Sequence, residues 1–149
     1  MSADPLTTTI ARLQQMCNAA RFDAVERETR TLVQAHPHDP RVLFVRAVAL
    51  GHNGRRAEAR PMLQQAIDLQ PNVPAYYQML AHFCLVDEDF AEAHAAYDAA
   101  LSRWPTHAPT LSLKADLLVS QREHDAAAPI LTPLLTQRPV DPGVARTFG

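Results

Sequence analysis

The stretch at residues 74–105, PAYYQMLAHFCLVDEDFAEAHAAYDAALSRWP, decides the fold. It closes on Pro105, and prolines recur every 34 residues as Pro37, Pro71, Pro105 and Pro139. At the same interval Ala81 aligns with Leu13, Ala47 and Ala115, Ala93 with Val25, Ala59 and Ala127, and Ala100 with Leu32, Ala66 and Leu134. Larger apolar residues keep the register as Met16, Leu50, Cys84 and Leu118, then as Val33, Ile67, Leu101 and Leu135. Such self-similarity marks stacked copies of one supersecondary unit. The alanine columns are where two helices meet, since close approach needs side chains that hardly protrude.

Within a unit the apolar spacing is helical. Leu43, Ala47 and Leu50 on one segment, and Ala59, Leu63, Ala66 and Ile67 on the next, follow the i, i+3, i+4, i+7 pattern of a buried helix face. Asp39 before Pro40 and Asp141 before Pro142 pair an N-cap acceptor with a ring suited to the first helical turn, and Pro74 takes that place without the acid. Asn53-Gly54 is a turn signal, and Asp87-Glu88-Asp89 sets negative charge at the start of a following helix. The spacing predicts eight helices, at about 5–18, 22–35, 40–52, 56–69, 74–86, 90–103, 108–120 and 124–137. Pro61 and Pro129 fall early in second helices and predict a slight bend, while Pro133, deeper in the last helix, predicts a kink.

Over residues 6–139 this pattern resembles the tetratricopeptide repeat family. The third unit carries the resemblance best, with Tyr77, Leu80, Ala81, Ala93, Tyr97, Ala100 and Pro105 at signature positions. The first, with Thr9, Leu13, Val25 and Thr29, matches least, as suits a cap. The resemblance implies an all-α, right-handed superhelical solenoid of four helix-turn-helix hairpins in a domain at 5–139, with repeats at about 6–39, 40–73, 74–107 and 108–141. Residues 140–149, where Asp141-Pro142 repeats the earlier start signal and Phe148-Gly149 follows, read as the truncated start of a fifth repeat in a longer protein.

Composition narrows the function classes. A chain of 149 residues with 47% apolar and 20% charged side chains is sized for one folded domain. A net charge of −2 offers no clustered cations for nucleic acid or anionic lipid. Cys17 and Cys84 stand alone, which reads as reduced thiols in a cytoplasmic protein, and no signal peptide or membrane-spanning run is visible. Phosphate loops, nucleophile elbows, metalloprotease motifs and dinucleotide fingerprints are missing, so the expectation is no catalysis by this chain, no cofactor and no metal. The seven histidines read as ordinary solvated side chains, His36 and His38 around Pro37 included.

In the family resembled, the first helix of each unit lines an inner face that takes ligands. Projecting the helix period puts Thr7, Ile10, Gln14 and Cys17 there from unit one, and Arg41, Phe44, Val48 and Gly51 from unit two. Units three and four add Gln78, His82 and Leu85, then Ser112, Asp116 and Val119. The candidate peptide groove is therefore Gln14, Arg41, Phe44, Val48, Gln78, His82, Ser112 and Asp116, with Phe44 as apolar anchor. The competing reading has Phe44 and Val48 packing on a neighbouring second helix. The family's cochaperones clamp C-terminal carboxylates with Lys and Asn. The corresponding places here hold Ile10, Gln14, Val45, Ala75 and Met79, which excludes that mode. The resemblance thus implies a module that binds a protein or peptide, with self-association left open. Two other readings stand beside it: the N-terminal recognition arm of a larger bacterial hydroxylase, sulfotransferase or glycosyltransferase, and a small secretion chaperone.

Overall fold

The computed structural model of the chain describes residues 4–137. They form eight helices: α1 (Pro5–Asn18), α2 (Phe22–Ala35), α3 (Pro40–His52), α4 (Arg56–Leu69), α5 (Pro74–Val86), α6 (Phe90–Arg103), α7 (Ala108–Ser120) and α8 (His124–Gln137). Every one of these ranges coincides with the range expected from the 34-residue register. The expected fifth-repeat start at 140–149 lies outside the described residues.

The chain divides into two compact units, Met1–Asp89 and Phe90–Gly149. The first holds α1 to α5 around two apolar clusters. Ile10, Leu13, Val25, Val42, Val45 and Ala49 join α1, α2 and α3. Ala47, Leu50, Ala59, Leu63 and Phe83 join α3, α4 and α5, and Phe44 packs on both clusters. The second unit packs Ala115, Leu118, Ala127, Leu131 and Leu134 between α7 and α8. The alanines of the repeat columns are sealed: Ala47, Ala59, Ala66, Ala81, Ala93 and Ala115 are all 0% exposed.

Each hairpin turns by the same backbone device. Ala20, Gly54, Glu88 and Arg122, again 34 residues apart, adopt φ of 60°, 87°, 59° and 64°. The amides that follow, of Arg21, Arg55, Asp89 and Glu123, donate to the carbonyls of Met16, Leu50, Cys84 and Leu118. This is the left-handed helix end that satisfies orphan carbonyls, and it favours glycine, which only Gly54 supplies. Asp39 is the expected N-cap, accepting from the Arg41 amide at 2.9 Å. Val73, before Pro74, makes no side-chain cap bond. Pro61, Pro129 and Pro133 all lie inside their helices.

Polar contacts between successive hairpins also keep the register. Glu26 on α2 accepts from Asn53 at 2.8 Å and from Arg55, both in the α3–α4 turn. One repeat on, Arg60 on α4 donates to Asp87 at 3.5 Å and Asp89 at 2.8 Å, and Arg56 donates to Asp87 at 2.6 Å. One repeat further, inside the second unit, His94 Nε2 lies 2.7 Å from Gln121 Oε1. Residues 26, 60 and 94 are one repeat position and 53, 87 and 121 another, so one contact is made with anionic, cationic and imidazole chemistry in turn. Asp87 and Asp89, read from sequence as charges for the α6 dipole, are thus engaged with α4. The arginines hold the Asp87 carboxyl below the usual carboxylate range, the Arg56 hydrogen bond first among the causes.

Candidate functional site

In the first unit the face of α1, α3 and α5 is built from the residues that the apolar columns leave outward. On α1, Thr7 and Gln14 are exposed, Cys17 is half-buried and Ile10 is buried in the core. Burial pushes the Cys17 thiol pKa up, so the group is held as a neutral thiol. On α3, Arg41 donates to both Asp39 oxygens, at 3.1 and 2.8 Å, and to Thr7 Oγ1 at 3.0 Å. Thr7 and Arg41 share a repeat position, so this bond ties the starts of α1 and α3. Arg41 holds the Asp39 carboxyl below its ordinary pKa, chiefly by the side-chain hydrogen bond.

Phe44 is half-buried, with its ring centroid 4.9 Å from that of Tyr76 on α5. It meets neighbouring helices and still presents part of its ring. Val48 is nearly sealed at 7% exposure. Gly51 lies beneath Phe83: a Cβ built on it meets Phe83 Cζ at 2.1 Å. On α5, Gln78 and Leu85 are half-buried and His82 is exposed. Ser112, half-buried, and Asp116, exposed, are on α7 in the second unit.

Two residues that the helix projection passed over stand on the same face. His52, the last residue of α3, stacks on Phe22 of α2 with centroids 4.5 Å apart and planes 14° apart. It also meets Phe83 edge-on at 5.5 Å and lies 6.0 Å from the His82 ring. Burial, and then the neighbouring His82, push the His52 pKa below the ordinary histidine value. Val86, one repeat after His52 and one turn after His82, is 50% exposed. The 34-residue alignment of His52 with Val86 is the signal that marks both; projecting from Gly51 and Leu85 stops one residue short.

Among the described residues no group of three or more His, Cys, Asp or Glu is placed to hold a metal ion. His36 and His38 are exposed beside Asp39, Arg41 and Leu69 at the rim of an open depression. No described helix is long and apolar enough to cross a membrane.

The geometry defines a helical-hairpin repeat protein whose hairpins bury the alanine columns and, within each compact unit, are joined by a repeated polar contact. Two sequence models, each of a tetratricopeptide repeat, match residues 18–74 and 86–147. The chain belongs to the tetratricopeptide repeat family, and its fold class is the all-helical repeat solenoid. Two solved structures similar to it are described as crystal structures of MamA. One gives a TM-score of 0.77 at 16% identity, covering 95% of this chain and 78% of the other. The second gives 0.78 at 16% identity, covering 99% and 82%. At that identity the likeness shows the fold alone. No curated protein sequence matches the chain.

Proposed function

We propose that this protein is an interaction module that seats a peptide or protein segment on the face of α1, α3 and α5, and that it does no chemistry of its own. Membership of the tetratricopeptide repeat family supports the general role. The observation that carries the choice of face is the exposed run of His82 and Val86 on α5 beside His52, backed by the half-buried ring of Phe44, which rests on the buried Tyr76. A strip with an apolar patch and scattered hydrogen-bonding groups matches the mixed character of a transient protein interface. Gln14, Gln78 and His82 supply the polar groups, and Phe44 and Val86 the apolar contact. Val48 supports the surface from beneath, and the partly exposed Arg41 adds a polar group at the start of α3. In the second unit, taken by itself, Ser112 and Asp116 on α7 are the corresponding proposed contacts.

The test is photo-crosslinking in an extract of the organism of origin, with p-benzoylphenylalanine at position 14, 82 or 65. Gln65 is exposed on α4, an outer helix. A discrete adduct from positions 14 and 82 and none from 65 is the expected result. Adducts from position 65 alone would move the docking surface to the outer helices.

A further inference from the structure

The charges of the first unit are distributed unevenly between its helices. α1, α3 and α5 contain no Asp or Glu at all, whereas α2 carries Asp23, Glu26 and Glu28 and α4 carries Glu58 and Asp68. The arginines on the three inner helices are engaged within the protein. Arg12 pairs with Glu28 at 2.8 Å, Arg41 with Asp39, and Arg46 donates to the Glu26 carbonyl at 3.0 Å and to Thr29 at 3.2 Å. The imidazoles of His52 on α3 and His82 on α5 meet rings rather than carboxylates.

We propose that the His52–His82 pair is a carboxylate-binding subsite, and that the partner segment held on this face carries an Asp or Glu side chain next to an aliphatic one. The proposal rests on the reading of α1, α3 and α5 as the docking face, and it names the chemistry of what docks. Two imidazoles with centroids 6.0 Å apart can each offer an N–H to one carboxylate, at the usual distance of about 2.8 Å. Stacking on Phe22 fixes the His52 ring, so little side-chain freedom is lost when it is engaged. Val86, one turn beyond His82, receives the neighbouring aliphatic group. α1, α3 and α5 carry no carboxylate to repel the segment, which suits an acidic partner.

Proton linkage follows from the groups around the pair. In the free protein, burial and His82 hold His52 below its ordinary pKa. α2 contributes Phe22 to its surroundings, and α5 contributes Phe83 and His82, the one titratable side chain among these three. A bound carboxylate favours the protonated rings and raises their pKa, so binding takes up protons and tightens as pH falls from 8 towards 6. A rise of one unit on one ring corresponds to a tenfold gain, so about threefold to tenfold is expected.

The experiment uses acetyl-Leu-Glu-Leu-amide and acetyl-Leu-Gln-Leu-amide as probes, followed by NMR of the full chain labelled with 15N and 13C, at pH 6 and pH 8. The imidazole signals of His52 and His82 should titrate at higher pH with the Glu peptide present and not with the Gln peptide. The Glu peptide should bind about threefold to tenfold tighter at pH 6 than at pH 8. His82→Gln, a change at an exposed side chain, should reduce that pH dependence while leaving the amide spectrum dispersed, and adding His52→Gln should remove it. If both peptides perturb α1, α3 and α5 equally at either pH, the subsite is overturned and the docking face stands. If neither perturbs this face, the subsite is overturned too, and the crosslinking pattern decides the docking face independently.

Discussion

Gly51→Ala is a change that helix propensity alone would make stabilising, and the structure reverses the sign. Glycine inside a helix costs about 1 kcal/mol relative to alanine, so at an open site the substitution would gain that much. Gly51 is buried in the last turn of α3, and the added Cβ would lie 2.1, 2.3 and 2.6 Å from Cζ, Cε2 and Cε1 of Phe83. Carbon atoms in contact settle at about 3.5 to 4.0 Å, so the ring must retreat by more than about 1 Å. Phe83 is 1% exposed and packed with Leu50, Ala59 and Leu63, which leaves it nowhere to go without disturbing the α3–α4–α5 cluster. Overpacking of this kind costs about 1 to 3 kcal/mol, and the size of the overlap puts Gly51→Ala near the top of that range. Less the propensity gain, the net loss is about 2 kcal/mol. For a chain of this length that lowers Tm by about 4 to 8 °C. Urea unfolding followed by circular dichroism measures it, together with Phe83→Leu and the double variant. The losses should be less than additive, because a smaller residue at 83 makes room for the methyl group. A Gly51→Ala protein that melts at or above the parent temperature would refute the reasoning.

Other consequences are open to the same measurements. Glu88→Gly should stabilise the protein by about 0.5 to 1 kcal/mol, since it relieves a left-handed conformation at φ 59° and the gain is reduced by glycine's freer unfolded chain; an unchanged urea midpoint would count against strain at that turn. Ala81→Leu, at a fully buried contact, should cost about 1 to 3 kcal/mol, and parent-like melting would remove it from the packed interface. Arg60→Glu should destabilise the first unit by turning an ion pair into like charges, and adding Asp89→Arg should recover part of the loss; no recovery would show that the 2.8 Å contact contributes nothing. Acidification should act in two stages. His52 sits below its ordinary pKa, so its contribution is complete above about pH 6.5 and is lost as pH falls from there through the lowered folded-state value. Asp39, whose pKa is also depressed, contributes fully above about pH 4 and loses that below it. His52→Gln should flatten the first stage alone.

The fold was legible because it repeats. A position such as Ala47 is weak evidence alone, but Leu13, Ala81 and Ala115 in the same register fix both the helices and the faces they bury. Proline and turn residues then set the ends, which is why all eight ranges agree. What the register could not give is what lies above each column. Gly51 counted as a groove position by period, yet Phe83 from the next hairpin covers it. Phe44 was read as an anchor or as packing; the structure packs it on both apolar clusters and on Tyr76 with part of its ring exposed, and its role as an anchor belongs to the proposed function. The polar contacts between hairpins escaped notice because Glu26, Arg60 and His94 share a position but not a chemistry. Pairing them with Asn53, Asp87 and Gln121 needs the distance across the stack, which spacing along one chain does not contain.

The most direct test of the docking face is a calorimetric titration of the partner recovered by crosslinking against His82→Ala, Val86→Ser and Gln65→Ala. All three positions are exposed, so folding should be intact in each. The account predicts that His82→Ala and Val86→Ser each weaken binding by more than about 1 kcal/mol, with Gln65→Ala unchanged. Equal affinity for all three variants would contradict it.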